Sequence, residues 1–198
     1  MEENPRMNAA DLIAFSKDVA ARFDAGEIHA PVHLNSDTQA EPLIEIFRDI
    51  KRTDWVLSTW RSTWHALLHG VPPERVMAEI LAGRSMQLHF PEHRFMSSSI
   101  MGGMLPIACG LAAGGERVWC FVGDMCASTG AFRDATDYAW GKKLGVNFVI
   151  ENNELSTNTP TIEAWGYDAV AWRSVQTRHY KYKRTTPHYQ PLPGKHGF

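Results

Sequence analysis

The sequence predicts an α/β fold built on a doubly wound, mostly parallel sheet, and three observations carry that expectation. Residues 118–122 (Val-Trp-Cys-Phe-Val) and 146–150 (Val-Asn-Phe-Val-Ile) are short apolar runs rich in β-branched and aromatic side chains. Such runs suit strands buried on both faces. The interval 128–143 has helical length, so the unit reads as strand, helix and strand joined by a right-handed crossover. With 198 residues, 44% of them hydrophobic, the chain can bury the core of one domain or slightly more.

The remaining elements follow in order. Asn8 is placed to cap a helix that carries Leu12, Phe15, Val19 and Phe23 on one face and ends near Gly26. A polar loop through Pro31 and His33 leads to a second amphipathic helix, begun by Asp37 or Thr38, with Pro42 in its first turn and Leu43, Ile46, Phe47 and Ile50 inward. Trp55-Val56-Leu57 reads as a short buried strand, and Pro72-Pro73-Glu74 opens a helix showing Val76, Met77, Ile80 and Leu81. Residues 83–99 are polar, bear histidines and lack periodicity, which predicts a long functional loop. Residues 101–114 are rich in Gly and Ala, which allows close backbone approach. Beyond Asn153, residues 162–172 read as a shortened helix, 178–183 as a basic strand or arm, and 185–198, with three prolines, as an extended tail.

Charge and composition exclude several functions. A net charge of −2 argues against nucleic acid or a membrane surface as partner. No apolar run approaches the ~20 residues of a membrane span. The acidic start Met-Glu-Glu-Asn-Pro is unlike a secretory signal, and Cys109, Cys120 and Cys126 sit in or beside apolar runs, so reduced thiols and a cytoplasmic location are expected.

The chemistry concentrates at strand ends. Asp124 follows the first strand of the crossover unit, and Asn152 and Asn153 follow the second. In a parallel sheet ligands collect at these ends, and a carboxylate with an amide oxygen is a hard oxygen set suited to Mg2+ or Ca2+. Ser128, Thr129 and Gly130 open the crossover helix and offer free N–H groups to an anion. Arg61, just beyond the strand at 55–57, has the planar fork that grips phosphate.

Gly123-Asp124, followed at an interval by Glu151-Asn152-Asn153, resembles the thiamine diphosphate motif. The stretches 54–61, His65-Ala66-Leu67, Gly70 to Glu74, Ser85-Met86 and Ile100-Met101-Gly102 narrow the resemblance to the α subunit of the first component of 2-oxo acid dehydrogenases, the pyruvate, acetoin and branched-chain group. It runs from about Phe15 to Pro160. It implies a diphosphate-side thiamine-binding α/β domain over residues 1–160 with N-terminal helices, and a shortened C-terminal segment and extended tail over 161–198. It also implies an enzyme subunit that decarboxylates a small 2-oxo acid and passes on the acyl or aldehyde unit, in dehydrogenases to a lipoyl acyltransferase.

The same resemblance assigns residues. Asp124, Asn153 and the backbone oxygen of Leu155 would hold Mg2+. Trp60, Arg61, Ser99, Ile100, Met101, Gly123, Met125, Cys126 and a C-terminal histidine, His179 or else His188, would surround the cofactor. His89 and His93 stand as candidate proton donors, because Gln87 replaces the histidine of the family's Ser-Met-His. Trp60 stands where tyrosine is frequent, and Met125 where glycine or alanine is. A β-like subunit would add the pyrimidine-side domain and its glutamate, giving a heterotetramer. Three other readings remain open: a stand-alone or paired decarboxylase or carboligase resembling acetolactate synthase, a degenerate partner subunit, and an unrelated phosphate-binding domain using Asp124.

Overall fold

The computed structural model describes residues 7–166 and 177–189. The chain begins with α1 (Ala9–Asp24), whose start is held by a reciprocal cap. The Asp11 N–H donates to Asn8 Oδ1 at 3.0 Å, and the Asn8 N–H donates to Asp11 Oδ2 at 3.2 Å. Next come β1 (Val32–His33), a 3-10 turn (Asp37–Gln39), α2 (Ala40–Phe47), β2 (Trp55–Ser58), α3 (Thr63–Leu68) and α4 (Pro73–Leu81). They are followed by β3 (His89–Phe90), a 3-10 turn (Pro91–His93), β4 (Phe95–Ser97), α5 (Met104–Ala113), β5 (Val118–Gly123), α6 (Asp124–Ala127), α7 (Gly130–Gly141) and β6 (Val146–Asn152). The rest comprises β7 (Leu155–Ser156), β8 (Thr159–Pro160), α8 (Thr161–Trp165), β9 (Thr177–Lys181) and β10 (His188–Tyr189).

The central sheet has the order β3-β4-β2-β5-β6-β9, with every neighbour pair parallel except the edge pair β3–β4. Alternation along β5 shows why it is covered on both faces. Trp119 and Phe121 join one core with α1 to α4, whereas Val118, Cys120 and Val122 join a second core with α5 and α7. Period-2 alternation sends neighbouring side chains to opposite faces, so a continuous apolar run is what a doubly wound sheet needs.

Two expectations are corrected. Residues 83–99 are not one loop, since β3 and β4 lie within them and β4 pairs with β2 from Val56–Phe95 to Ser58–Ser97. Strands of two and three residues are too short to show a period, and Phe95 and Phe90 are buried by contacts that local sequence does not reveal. The crossover helix starts at Gly130, capped by Thr129, and is preceded by the separate turn α6 that begins at Asp124 itself. Of the expected C-terminal helix, 161–165 is helical and 167–172 lies outside the described residues. The basic segment is β9, paired with β6, and part of the expected tail pairs as β10 with β1. No helix among the described residues is long and apolar enough to cross a membrane.

The end of the sheet away from the strand carboxyl ends is tied by Asp54, which is 2% exposed. Its Oδ2 accepts from Trp119 Nε1 at 3.0 Å and from the Lys51 N–H at 3.1 Å, with Arg117 at 3.4 Å. Asp54→Ala strands the buried indole N–H and is expected to cost about 1–3 kcal/mol. Chemical denaturation of both proteins measures it, and a loss below a few tenths of a kcal/mol would show that the tie is not structural.

Candidate functional site

The connections after β2 and β5 leave in opposite directions. After β2 the chain builds α3 and α4 against the first core, whereas after β5 it builds α6 and α7 against the second. The two strands are neighbours, paired from Trp55–Val118 to Leu57–Cys120, so a crevice opens between their carboxyl ends. A cleft lies there, walled by Thr59, Trp60 and Arg61 after β2, Gly123, Met125 and Cys126 at the end of β5, Glu151, Asn153 and Leu155 at the end of β6, and Tyr182 after β9.

Arg61 is 8% exposed, and its recorded hydrogen bond is a long 3.4 Å contact to the Leu34 carbonyl. Among the described residues no carboxylate pairs with it. A buried guanidinium without a counter-ion calls for an anion. The loop carrying it is held by Asn35, whose Nδ2 donates to the Arg61 carbonyl at 3.4 Å and to Gln39 Oε1 at 3.0 Å.

Asp124 is 2% exposed. One oxygen accepts from the Thr161 hydroxyl. Oδ1 is buried and has no partner. Burial raises the carboxyl above its ordinary pKa, and the bond from Thr161 offsets part of that rise. The Asn153 amide is fixed from both ends, with Oδ1 accepting from the Leu155 N–H at 3.1 Å and Nδ2 donating to the Tyr182 hydroxyl at 3.0 Å. The ends of β5 and β6 lie side by side, with Gly123 opposite Glu151. Among the described residues no group of three or more His, Cys, Asp or Glu side chains is placed to hold a metal, so any ion here would rely on Asp124, amide and backbone oxygens, and its ligand.

Gly123 adds a steric observation. Its φ of −74° is open to any residue, and a Cβ built on it meets nothing within 4 Å. Protein packing therefore leaves this space free beside Asp124, on the cleft side of the strand end. An orphaned carboxylate oxygen, an unpaired guanidinium and this open space together fit a metal-bridged polyphosphate.

Glu151 forms the floor of the cleft. Its Oε1 accepts from Gln39 Nε2 at 2.8 Å and from the Tyr180 hydroxyl, and lies 3.0 Å from His65 Nε2. All four side chains are buried. Tyr180, Tyr182, Thr161 and Gln39 were not anticipated as parts of the site. The alternation of Tyr180 and Tyr182 along a basic strand was a usable signal, because residues two apart share a face.

The other expected residues are placed less favourably. Of Ser99, Ile100 and Met101, only Met101 lines the cleft, and Ile100 is 71% exposed. Met125 lines the cleft, and its sulfur accepts from Trp165 Nε1 at 2.8 Å. The Cys126 thiol is pushed up to about 11 by burial, so it is not a thiolate. His179 lies within β9 opposite Ile150 and does not wall the cleft. His89 is an exposed residue of the edge strand β3, and His93 sits in the turn between β3 and β4, at the opposite end of the sheet. Ser128, Thr129 and Gly130 also stand outside the cleft wall, because α6 intervenes. His188 touches His33 through their Nδ1 atoms beside Arg184. Burial, then repulsion from His188, Arg61 and Arg184, lowers His33 to about 4.

Residues 9–176 match the family described as dehydrogenase E1 component. The α subunit of the pyruvate dehydrogenase E1 component of Porphyra purpurea is 29% identical over 204 residues, covering 81% of this chain and 59% of that protein. The corresponding subunit of Zymomonas mobilis is 32% identical over 138 residues, covering 62% of this chain and 39% of its own length. The α subunit of acetoin:2,6-dichlorophenolindophenol oxidoreductase from Cupriavidus necator is 28% identical over 161 residues, covering 73% and 48%. The chain thus spans about half the length of these relatives.

Because the Asp124 carboxyl is raised in the fold, its ionisation costs stability. The penalty is nil below the ordinary carboxylate range near pH 4 and complete once pH exceeds the raised value. Asp124→Asn keeps the acceptor and is expected to stabilise the free protein by about 1 kcal/mol at pH 7, with the gain shrinking toward pH 4. Urea titrations at both pH values measure this, and an equal gain at both would contradict the assignment.

Proposed function

The chain belongs to the dehydrogenase E1 component family, and from that premise we propose that it is an α-type subunit of a thiamine diphosphate- and Mg2+-dependent enzyme that decarboxylates a small 2-oxo acid and hands on the acyl or aldehyde unit. The observation that carries the reading is the partnerless, buried Asp124 Oδ1, set between the cleft-lining residues Gly123 and Met125, together with the guanidinium of Arg61 that walls the same cleft without a counter-ion. A divalent ion and a diphosphate satisfy both groups at once. Two of the relatives are named as pyruvate dehydrogenase E1 α subunits, which supports a small 2-oxo acid as the substrate class.

In this reading Asp124, Asn153 and the Leu155 carbonyl hold Mg2+, while Arg61 takes the diphosphate. The cofactor, when bound, supplies the electron sink for cleaving the bond next to a carbonyl. The chain's own work is to bind, orient and exclude water. Thr161 fixes the Asp124 carboxylate, Tyr182 fixes Asn153, and the space over Gly123 admits the ligand against the backbone. Trp60 and Met101 offer apolar walls. Among the described residues no histidine walls the cleft, so His89 and His93 are set aside as proton donors.

Exposed apolar side chains at the cleft support a second chain. Met101, which lines the cleft, is 45% exposed, and Trp165, bonded to the cleft residue Met125, is 41% exposed, apolar surface of the kind that a partner covers. A β-like subunit covering it would supply the pyrimidine-side glutamate, in a heterotetramer. The three buried free thiols suit a reducing compartment such as the cytoplasm.

Calorimetric titration with thiamine diphosphate and Mg2+, with and without a co-expressed β-like subunit, tests the proposal. Mg2+-dependent binding that Asp124→Ala abolishes is the expected result. Binding in neither condition would mark a subunit that serves assembly only, and full affinity in Asp124→Ala would move the metal elsewhere.

A further inference from the structure

Tyr182 stands in the cleft wall just beyond β9, and its environment is specific. Its hydroxyl oxygen accepts from Asn153 Nδ2 at 3.0 Å. A phenol has one hydrogen to donate as well, and among the described residues no acceptor receives it. Arg61, Glu151 and Asp124 are the charged groups whose fields act on this ring. The hydroxyl therefore belongs to a residue that shares the cleft wall with Arg61 and is bonded to Asn153, with its hydrogen unspent.

The geometry points to Tyr182 as a ligand-holding residue: it donates its phenolic hydrogen to an oxygen of a phosphate-class anion in the cleft while the same oxygen accepts from Asn153. The inference rests on the reading of the cleft as a metal-diphosphate site and goes beyond it by assigning the third contact. A neutral donor has a physical advantage here. A lysine or arginine at this position would be drawn to Asp124 or Glu151 and spend its charge on them, whereas a phenol forms no ion pair and stays available. Burial raises the hydroxyl above its ordinary pKa.

The test uses inorganic pyrophosphate as probe and the full chain, titrated by calorimetry with Mg2+ and again in EDTA. Tyr182→Phe removes the hydroxyl alone and is expected to weaken pyrophosphate about 10-fold in both conditions, since a hydrogen bond to a charged group is worth at least that. Unchanged affinity in both overturns the inference. A loss confined to the Mg2+ titration also overturns it, because that pattern belongs to a residue that only steadies Asn153. Incorporating 3-fluorotyrosine at position 182 makes the hydroxyl a better donor and a poorer acceptor. Tighter pyrophosphate binding is expected, and weaker binding contradicts direct donation. If the wild-type chain binds pyrophosphate in neither condition, the diphosphate reading falls together with this one. If it binds and Tyr182→Phe does not differ, only the role of Tyr182 falls.

Discussion

The parallel pairing of β2 with β5 is the constraint on which the rest of the structure depends. Their register, Trp55 on Val118 through Leu57 on Cys120, brings two carboxyl ends side by side, and the chain leaves those ends toward opposite faces. The space above them is walled by the first residues of each connection and by residues that follow β6 and β9. Arg61 is delivered by one connection and Asp124 by the other. The site is thus a product of topology before it is a product of individual residues. Asp54 and Trp119 secure the far end of the same strands, so the separation at the near end is set by a rigid sheet rather than by loops.

The polar groups of the cleft divide into two layers with opposite character. Beneath, Oε1 of Glu151 is saturated by Gln39, Tyr180 and His65, three buried side chains. Above, Asp124 and Arg61 each retain unused capacity, an oxygen without a donor and a guanidinium without a carboxylate. Leaving buried polar groups unsatisfied destabilises a fold. A protein tolerates the loss where a ligand supplies the missing partner, so the saturated layer reads as scaffold and the unsaturated one as binding surface. The position of Asn153 between them, bonded to Leu155 and Tyr182, makes it the joint through which the scaffold orients the binding layer.

Legibility from sequence followed the length and continuity of each signal. The strands at 118–123 and 146–152 and the helices at 9–24, 40–47 and 73–81 carry enough apolar positions to declare their period. Asp124, Asn153 and Arg61 were legible because strand ends and residue chemistry coincide there. The short strands β3 and β4 were not, since two or three residues cannot show alternation and their burial comes from β2 and the helices around it. A loop over 83–99 would leave His89 and His93 free to reach a ligand. In the edge hairpin that forms instead, His89 is exposed on the edge strand and His93 lies in the turn at the end of the sheet away from the cleft. Tyr180, Tyr182 and Thr161 belong to segments distant in sequence, and only β6–β9 pairing and the turn through β7 and β8 bring them to Asp124 and Asn153.

The central claim is that one divalent ion held by Asp124 also holds the phosphorus-bearing group held by Arg61. Pulsed electron paramagnetic resonance with Mn2+ in place of Mg2+, and pyrophosphate as ligand, reads that geometry directly. The account predicts phosphorus hyperfine coupling on the protein-bound Mn2+, lost when Asp124 is replaced by alanine. Protein-bound Mn2+ without phosphorus coupling, or coupling that persists in the alanine variant, would contradict it.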